Sequence, residues 1–241
     1  TLIAATLIVT LAYRVYGLAG IGGSTVAVQL FGYFFPLQFA VPLMLVFDLC
    51  AGLLLGLRQH RLVARRELLR LAPWVLAGMV LGITLLVNVP ERWLLLLLGS
   101  FVLVNACWSL LNRLPPQPVS ERWALITGIV GGAFTALYGT GGPIYTIYLA
   151  RRLGDKTVLR SSIGVLILCT AVARLALFWG SGFYSQAGLL PLAAALLPAA
   201  LLGFLTGSRL HARLPTQRVV QAVWSLLIAS GASVLLRALS G

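Results

Sequence analysis

Apolar stretches near bilayer length follow one another along almost the whole chain, at about 1–19, 24–35, 37–57, 71–88, 93–111, 123–138, 143–150, 161–180, 188–207 and 218–239. A bilayer core is about 30 Å thick and takes roughly 20 apolar residues of helix to cross. Inside it the backbone finds no water, so a spanning chain closes its hydrogen bonds as a helix or in a closed barrel. Barrel strands read as short alternating segments, a pattern this sequence lacks. Of the 241 residues 60% are hydrophobic and 10% charged, and mean hydropathy is +0.99. The expected fold class is an all-α polytopic membrane protein.

Eighteen Lys and Arg stand against five Asp and Glu, a net charge of +13. On a soluble domain that balance would suggest nucleic acid. Here the arginines fall between apolar spans, as cytoplasmic loops do under the positive-inside rule, so no nucleic-acid partner is expected. The positive field that remains favours an anionic solute. Cys50, Cys107 and Cys169 lie inside apolar spans and read as small hydrophobes rather than a disulfide framework. His60 and His211 sit at loop edges without a neighbour at metal-ligand spacing, so neither a metal nor another cofactor is expected. No HExxH, no GxSxG and no pair of intramembrane aspartates occurs, which argues against an enzyme.

Two glycine clusters interrupt the apolar pattern, Gly20-Ile21-Gly22-Gly23-Ser24 and Gly139-Thr140-Gly141-Gly142-Pro143, 119 residues apart. Glycine costs a helix interior about 1 kcal/mol relative to alanine, and matching breaks in two halves of a membrane chain point to a transporter's binding site. The halves align further. Pro73, Gly78, Gly82, Pro90 and Ser100 match Pro198, Gly203, Gly207, Pro215 and Ser225 at a constant offset of 125. The chain therefore divides into repeats at 1–111 and 123–241, joined by a linker at 112–122 that contains Pro115-Pro116-Gln117-Pro118.

Loop charge orients the repeats. Segment 32–41 is uncharged, and the next loop carries Arg58, Arg61, Arg65, Arg66 and Arg70 against Glu67. In the second repeat the order reverses: Arg151, Arg152, Lys156 and Arg160 come first, and 181–187 is uncharged. Equivalent loops thus face opposite sides, which requires an odd number of crossings per repeat. Segments 24–35 and 143–150 are too short to span about 30 Å. The predicted architecture is two inverted repeats, each a broken, re-entrant helical hairpin plus three transmembrane helices. Loops 58–70, 112–122, 151–160 and 208–218 would be cytoplasmic. Trp74, Trp93, Trp123 and Trp179 read as interfacial anchors. The pairs Gly52/Gly56, Gly78/Gly82, Gly128/Gly132 and Gly203/Gly207 have the spacing that lets helices approach closely.

At Gly20-Ile21-Gly22-Gly23 and Gly139-Thr140-Gly141-Gly142-Pro143, with the duplicated layout and the basic loops, the chain resembles the sulfite exporter TauE/SafE family, also called TSUP. Where that family usually carries a third glycine, Ser24 and Pro143 stand here. The resemblance implies secondary transport, usually outward, of sulfur-containing anions such as sulfite, sulfoacetate or other organosulfonates, in a bacterial inner membrane.

The residues suggest how an anion would be held. A helix N-terminus offers unpaired N–H groups and about half a positive charge, and small anions bind there. Half-helices starting at Ser24 and at Pro143 would supply two such ends, and Gly22, Gly23, Gly141 and Gly142 would permit close backbone approach. Ser24, Thr25, Thr140 and Tyr145 are the nearby candidate ligands, with Gln29, Tyr138 and Thr146 also close. Arg174, inside an apolar span, either grips the anion with its guanidinium or snorkels to the interface. Asp48 and Arg14 are candidates for a structural ion pair or for coupling, with Asp48 able to carry a proton. Arg160, Ser161 and Ser162 read as a helix start behind a basic loop. The expected partners are a small organosulfur anion and the bilayer, and a homodimer is compatible with the chain. The expected mechanism is alternating access around a midplane site, with a passive channel or an importer of another small anion as the alternatives.

Overall fold

A computed structural model describes residues 2–19, 23–32, 34–56, 63–111 and 119–211. Their regular structure is helical: α1 (Leu2–Ala19), α2 (Gly23–Phe31), α3 (Leu37–Gly56), α4 (Arg65–Asn88), α5 (Glu91–Leu111), α6 (Trp123–Tyr138), α7 (Gly142–Arg152), α8 (Lys156–Gly180) and α9 (Leu189–His211), with a 3-10 turn at Phe183–Ser185. The apolar stretch at 218–239, most of the linker, His60 and Gly20–Gly22 lie outside the described residues.

Hydropathy located the helices but not their ends, because a helix continues past the lipid where polar residues cap it. α4 starts six residues before its apolar stretch, at Arg65, with Glu67 in the first turn where its charge suits the helix dipole. α8 starts at Lys156, where the Asp155 carboxylate accepts from the N–H of Thr157 at 2.6 Å and of Val158 at 3.3 Å. α7 ends on Arg151 and Arg152, cations at the negative end of the helix.

Among the described residues three helices are long and apolar enough to cross a membrane: Arg65–Asn88, Thr157–Gly180 and Leu189–Leu210. α4 has 24 residues, about 36 Å at 1.5 Å per residue. By contrast α2 has 9 residues and α7 has 11, about 14 and 16 Å, or half a crossing. Along α1 the residues Ala5, Val9, Ala12, Tyr13 and Tyr16 are buried while Ile3, Leu7 and Leu11 are exposed. That is the arrangement of a helix with one face on protein and another on lipid. Trp74, Trp93, Trp123 and Trp179 are all exposed.

The chain forms two compact units that interleave its sequence halves. The first comprises Thr1–Phe47, Asn88–Leu114 and Gln186–Gly241, and the second Asp48–Val87 and Pro115–Ser185. In the first unit α9 lies against α1. A Cβ on Gly203 would strike the carbonyl of Thr10, and one on Gly207 the carbonyl of Arg14. In the second unit α4 lies against α6 in the same manner, with Gly78 on the carbonyl of Ile129 and Gly82 on that of Ala133. Gly203 and Gly207 follow Gly78 and Gly82 by 125 residues, and Ile129 and Ala133 follow Thr10 and Arg14 by 119. Both sequence offsets thus reappear in one pair of helix contacts.

Candidate functional site

The second glycine cluster lies within the second unit, where it turns α6 into α7. Gly139 takes φ +72°, a left-handed conformation that favours glycine. Its N–H donates to Thr135 O at 2.9 Å, the αL-type end to a helix, and the Thr140 N–H donates to Phe134 O at 3.3 Å. Two residues later α7 begins, with Gly141 at its N-cap and Pro143 in the first turn. No side chain caps that turn. Its N–H groups, which a helix leaves unused, are therefore not covered by a cap.

The two central glycines do different work. A Cβ on Gly141 would collide with the Thr135 hydroxyl, the Gly131 carbonyl and the Tyr145 ring. Around Gly142 the same construction meets no heavy atom of the described residues within 4 Å, so the start of α7 has open space beside it. Between them and α6 sits Thr140, 3% exposed. Its hydroxyl is buried without a hydrogen-bond partner among the described residues, a state that costs about 1–3 kcal/mol.

Thr135, one turn before the break, organises the surroundings. Its hydroxyl bonds Gly131 O at 2.7 Å and the Tyr145 hydroxyl at 3.0 Å. Its carbonyl accepts Arg174 Nη1 from α8 at 2.6 Å. Arg174 is 3% exposed and does not snorkel. Its Nη2 donates to Asp48 Oδ2 at 3.1 Å. The guanidinium thus places a cation on the C-terminal turn of α6, where the helix dipole is negative, and neutralises an acid of α3. Both Nη groups are engaged by protein, and Nε is buried without a partner.

The remaining candidates stand as follows. Arg14 is exposed on α1, and Asp48 pairs with Arg174 instead. Ser24 is 7% exposed in the first turn of α2, in the first unit. Gly23 and Thr25 belong to the same turn, and Gly22 lies outside the described residues. Tyr138 is fully buried. Thr146 bonds back to Gly142 O at 2.8 Å, and the Ser162 hydroxyl accepts the Ala64 N–H at 2.9 Å. Among the described residues no cluster of His, Cys, Asp or Glu could hold a metal ion.

Sequence reading passed over two features. Thr135 looks like one more small residue in an apolar helix, although a threonine one turn before a glycine break is placed to bond that turn. The second is an ionic cluster at the start of α4. Glu67, 8% exposed, accepts Tyr148 Oη at 2.9 Å, Arg152 Nη2 at 2.9 Å and Arg70 Nη1 at 2.8 Å. Glu121 joins through Arg70 at 2.7 Å and Arg152 at 3.3 Å. The cluster ties the C-terminal end of α7 to α4. The signal was Glu67 itself, the one acid among five arginines of its loop.

These elements define an all-helical membrane protein with apolar spanning helices and a broken one whose uncapped start has open space beside it. The family described as sulfite exporter TauE/SafE matches residues 5–234, and the chain belongs to it. That membership makes it a membrane transporter of the sulfur-anion class. The chain is similar to a probable inner membrane transporter protein TsaS of Comamonas testosteroni, with 27% identity over 193 residues, covering 80% of this chain and 81% of that protein. No solved structure matches it significantly.

Proposed function

We propose that the protein is a secondary transporter that exports small sulfur oxyanions, such as sulfite, sulfoacetate or another organosulfonate, by alternating access. The observation that carries this reading is the start of α7. An uncapped helix N-terminus, a buried unpartnered Thr140 hydroxyl and open space at Gly142 together suit an anion with several acceptor oxygens. Gly141, Gly142 and Tyr145 would shape that site. Arg174, with Asp48 as its counter-ion, would add positive potential through its position on Thr135 and its free Nε.

By the same proposal Gly22, Gly23, Ser24 and Thr25 form the corresponding start of α2. Repeats 1–111 and 123–241 arise by duplication, supported by the recurrence of the α1–α9 contacts as α6–α4. Their inversion rests on the reversed loop charges. Half-helix starts at matching places of a duplicated chain suit a transporter's anion site. The relative's description as an inner membrane transporter supports a bacterial inner-membrane location.

The test is a thermal-shift panel on the purified protein followed by flux in proteoliposomes. A ligand bound to the native state raises apparent stability. Stabilisation by sulfite or alkanesulfonates, with accumulation against a gradient when a second gradient is imposed, is the expected result. Flux that only ever runs down its own gradient would replace the transporter with a channel. Stabilisation by cations alone would remove the anion site.

A further inference from the structure

Gln29 lies on α2, one turn after Thr25 and in the helix that follows the first glycine cluster. It is 1% exposed. Among the described residues neither its amide nitrogen nor its amide oxygen has a hydrogen-bond partner, although both atoms are inaccessible to solvent. Buried polar groups are nearly always hydrogen-bonded, and a glutamine in an apolar setting is readily exchanged for methionine of similar size. A fully orphaned carboxamide is therefore a cost without a return inside the protein. Thr140 presents the same condition at the start of α7, but a hydroxyl can serve as donor alone. Gln29 presents a donor and an acceptor side by side.

A sulfonate or sulfite oxygen satisfies the Nε2 donor and leaves Oε1 unmatched, because a bare oxyanion only accepts. Oε1 calls for an O–H or N–H on the ligand. We infer that Gln29 is a specificity-determining residue that selects oxyanions carrying a hydrogen-bond donor close to the charged group, such as a protonated oxyanion or a hydroxy- or aminoalkanesulfonate. This rests on the anion-transport reading above and narrows its substrate class. The strength of such selection follows from the burial. A site built to bond a substrate hydroxyl rejects the analogue that lacks it, because its own buried groups are then left unpaired.

The experiment compares isethionate with ethanesulfonate, which differ only by one hydroxyl, on the wild type and on Gln29→Met. Kd is read from thermal-shift titration and KM from competition for flux in proteoliposomes. The wild type should bind isethionate at least tenfold more tightly. Gln29→Met should bring the two within about twofold, because isethionate loses the bonds to both Nε2 and Oε1 while ethanesulfonate loses only the first, and should raise the melting temperature of the ligand-free protein. Gln29→Asn keeps both polar groups and withdraws them by one methylene. It should lose the preference as well, and it serves if the methionine variant does not fold. Equal binding of the two sulfonates by the wild type, or an undiminished preference in the variants, overturns the assignment while leaving the transport reading in place. Failure of the wild type to bind isethionate, ethanesulfonate or sulfite overturns both.

Discussion

Arg174 and Asp48 meet at 3.1 Å across 126 residues of chain, which joins the C-terminal third of α8 to the middle of α3. Removing one member of a buried pair leaves the other charged and unmatched, at a cost of about 3–5 kcal/mol. Arg174→Gln and Asp48→Asn should each lower the melting temperature of the purified protein clearly, Arg174→Gln the more because its carbonyl bond to Thr135 goes too. The double variant should lose less than the two single losses combined. Thermal unfolding of the three proteins checks this, and additive losses would mean that the two charges do not stabilise each other.

Neighbouring glycines at the start of α7 should respond oppositely to one methyl group. Gly141→Ala drives a Cβ into Thr135 and Tyr145 and should prevent accumulation of folded protein. Gly142→Ala enters open space, should fold normally, and should raise KM for the transported anion at least tenfold by occupying the approach to the helix end. Size-exclusion profiles and flux measurements separate the two effects.

Thr140→Val deletes a buried hydroxyl that no group of the described residues uses. The ligand-free protein should be as stable as the wild type or more so, and anion affinity should fall about tenfold, or ~1.4 kcal/mol. Thermal unfolding with and without ligand gives both quantities.

Within the ionic cluster, Glu67 and Glu121 should differ sharply. The side chain of Glu67 is 11% exposed and that of Glu121 is 54% exposed. Exposed pairs contribute about 0–1 kcal/mol, so Glu121→Gln should leave the melting temperature almost unchanged. Glu67→Gln strips charge from a centre with three donors and should lower it markedly.

The Asp155 carboxyl is held below its ordinary 3.8 by the Thr157 and Val158 N–H groups at the start of α8. A depressed carboxylate contributes stability that is present above its unfolded value and lost as pH falls through the folded one. Asp155→Ala should therefore be less stable than the wild type at pH 7, and the gap should close in strong acid. Unfolding curves across pH 2–7 would reveal a gap that persists, which would contradict the cap.

Much of the fold was legible because a membrane helix advertises itself locally. The apolar stretch at 123–138 coincides with α6, and the glycine-proline signal marked the break before α7. Helix starts at Arg65 and Lys156 were missed because charged first turns lie outside the lipid and carry no hydropathy. Arg174 stood out as a charge in an apolar span, and an ion pair was one of two roles left open for Asp48, without Arg174 named as its partner. Thr135 did not stand out, since its role depends on a helix that arrives 39 residues later. Partners distant in sequence leave no trace in local periodicity.

The packing of α9 on α1 bears on how the chain is made. Synthesis proceeds at roughly 5–20 residues per second, and Thr10 waits for Gly203. The first helix thus enters the bilayer some tens of seconds before the helix that covers it exists. During that interval lipid, the insertion machinery or a passing chain must cover the surface later held by glycines, so the order of biosynthesis leaves α1 open to mispairing until α9 is made.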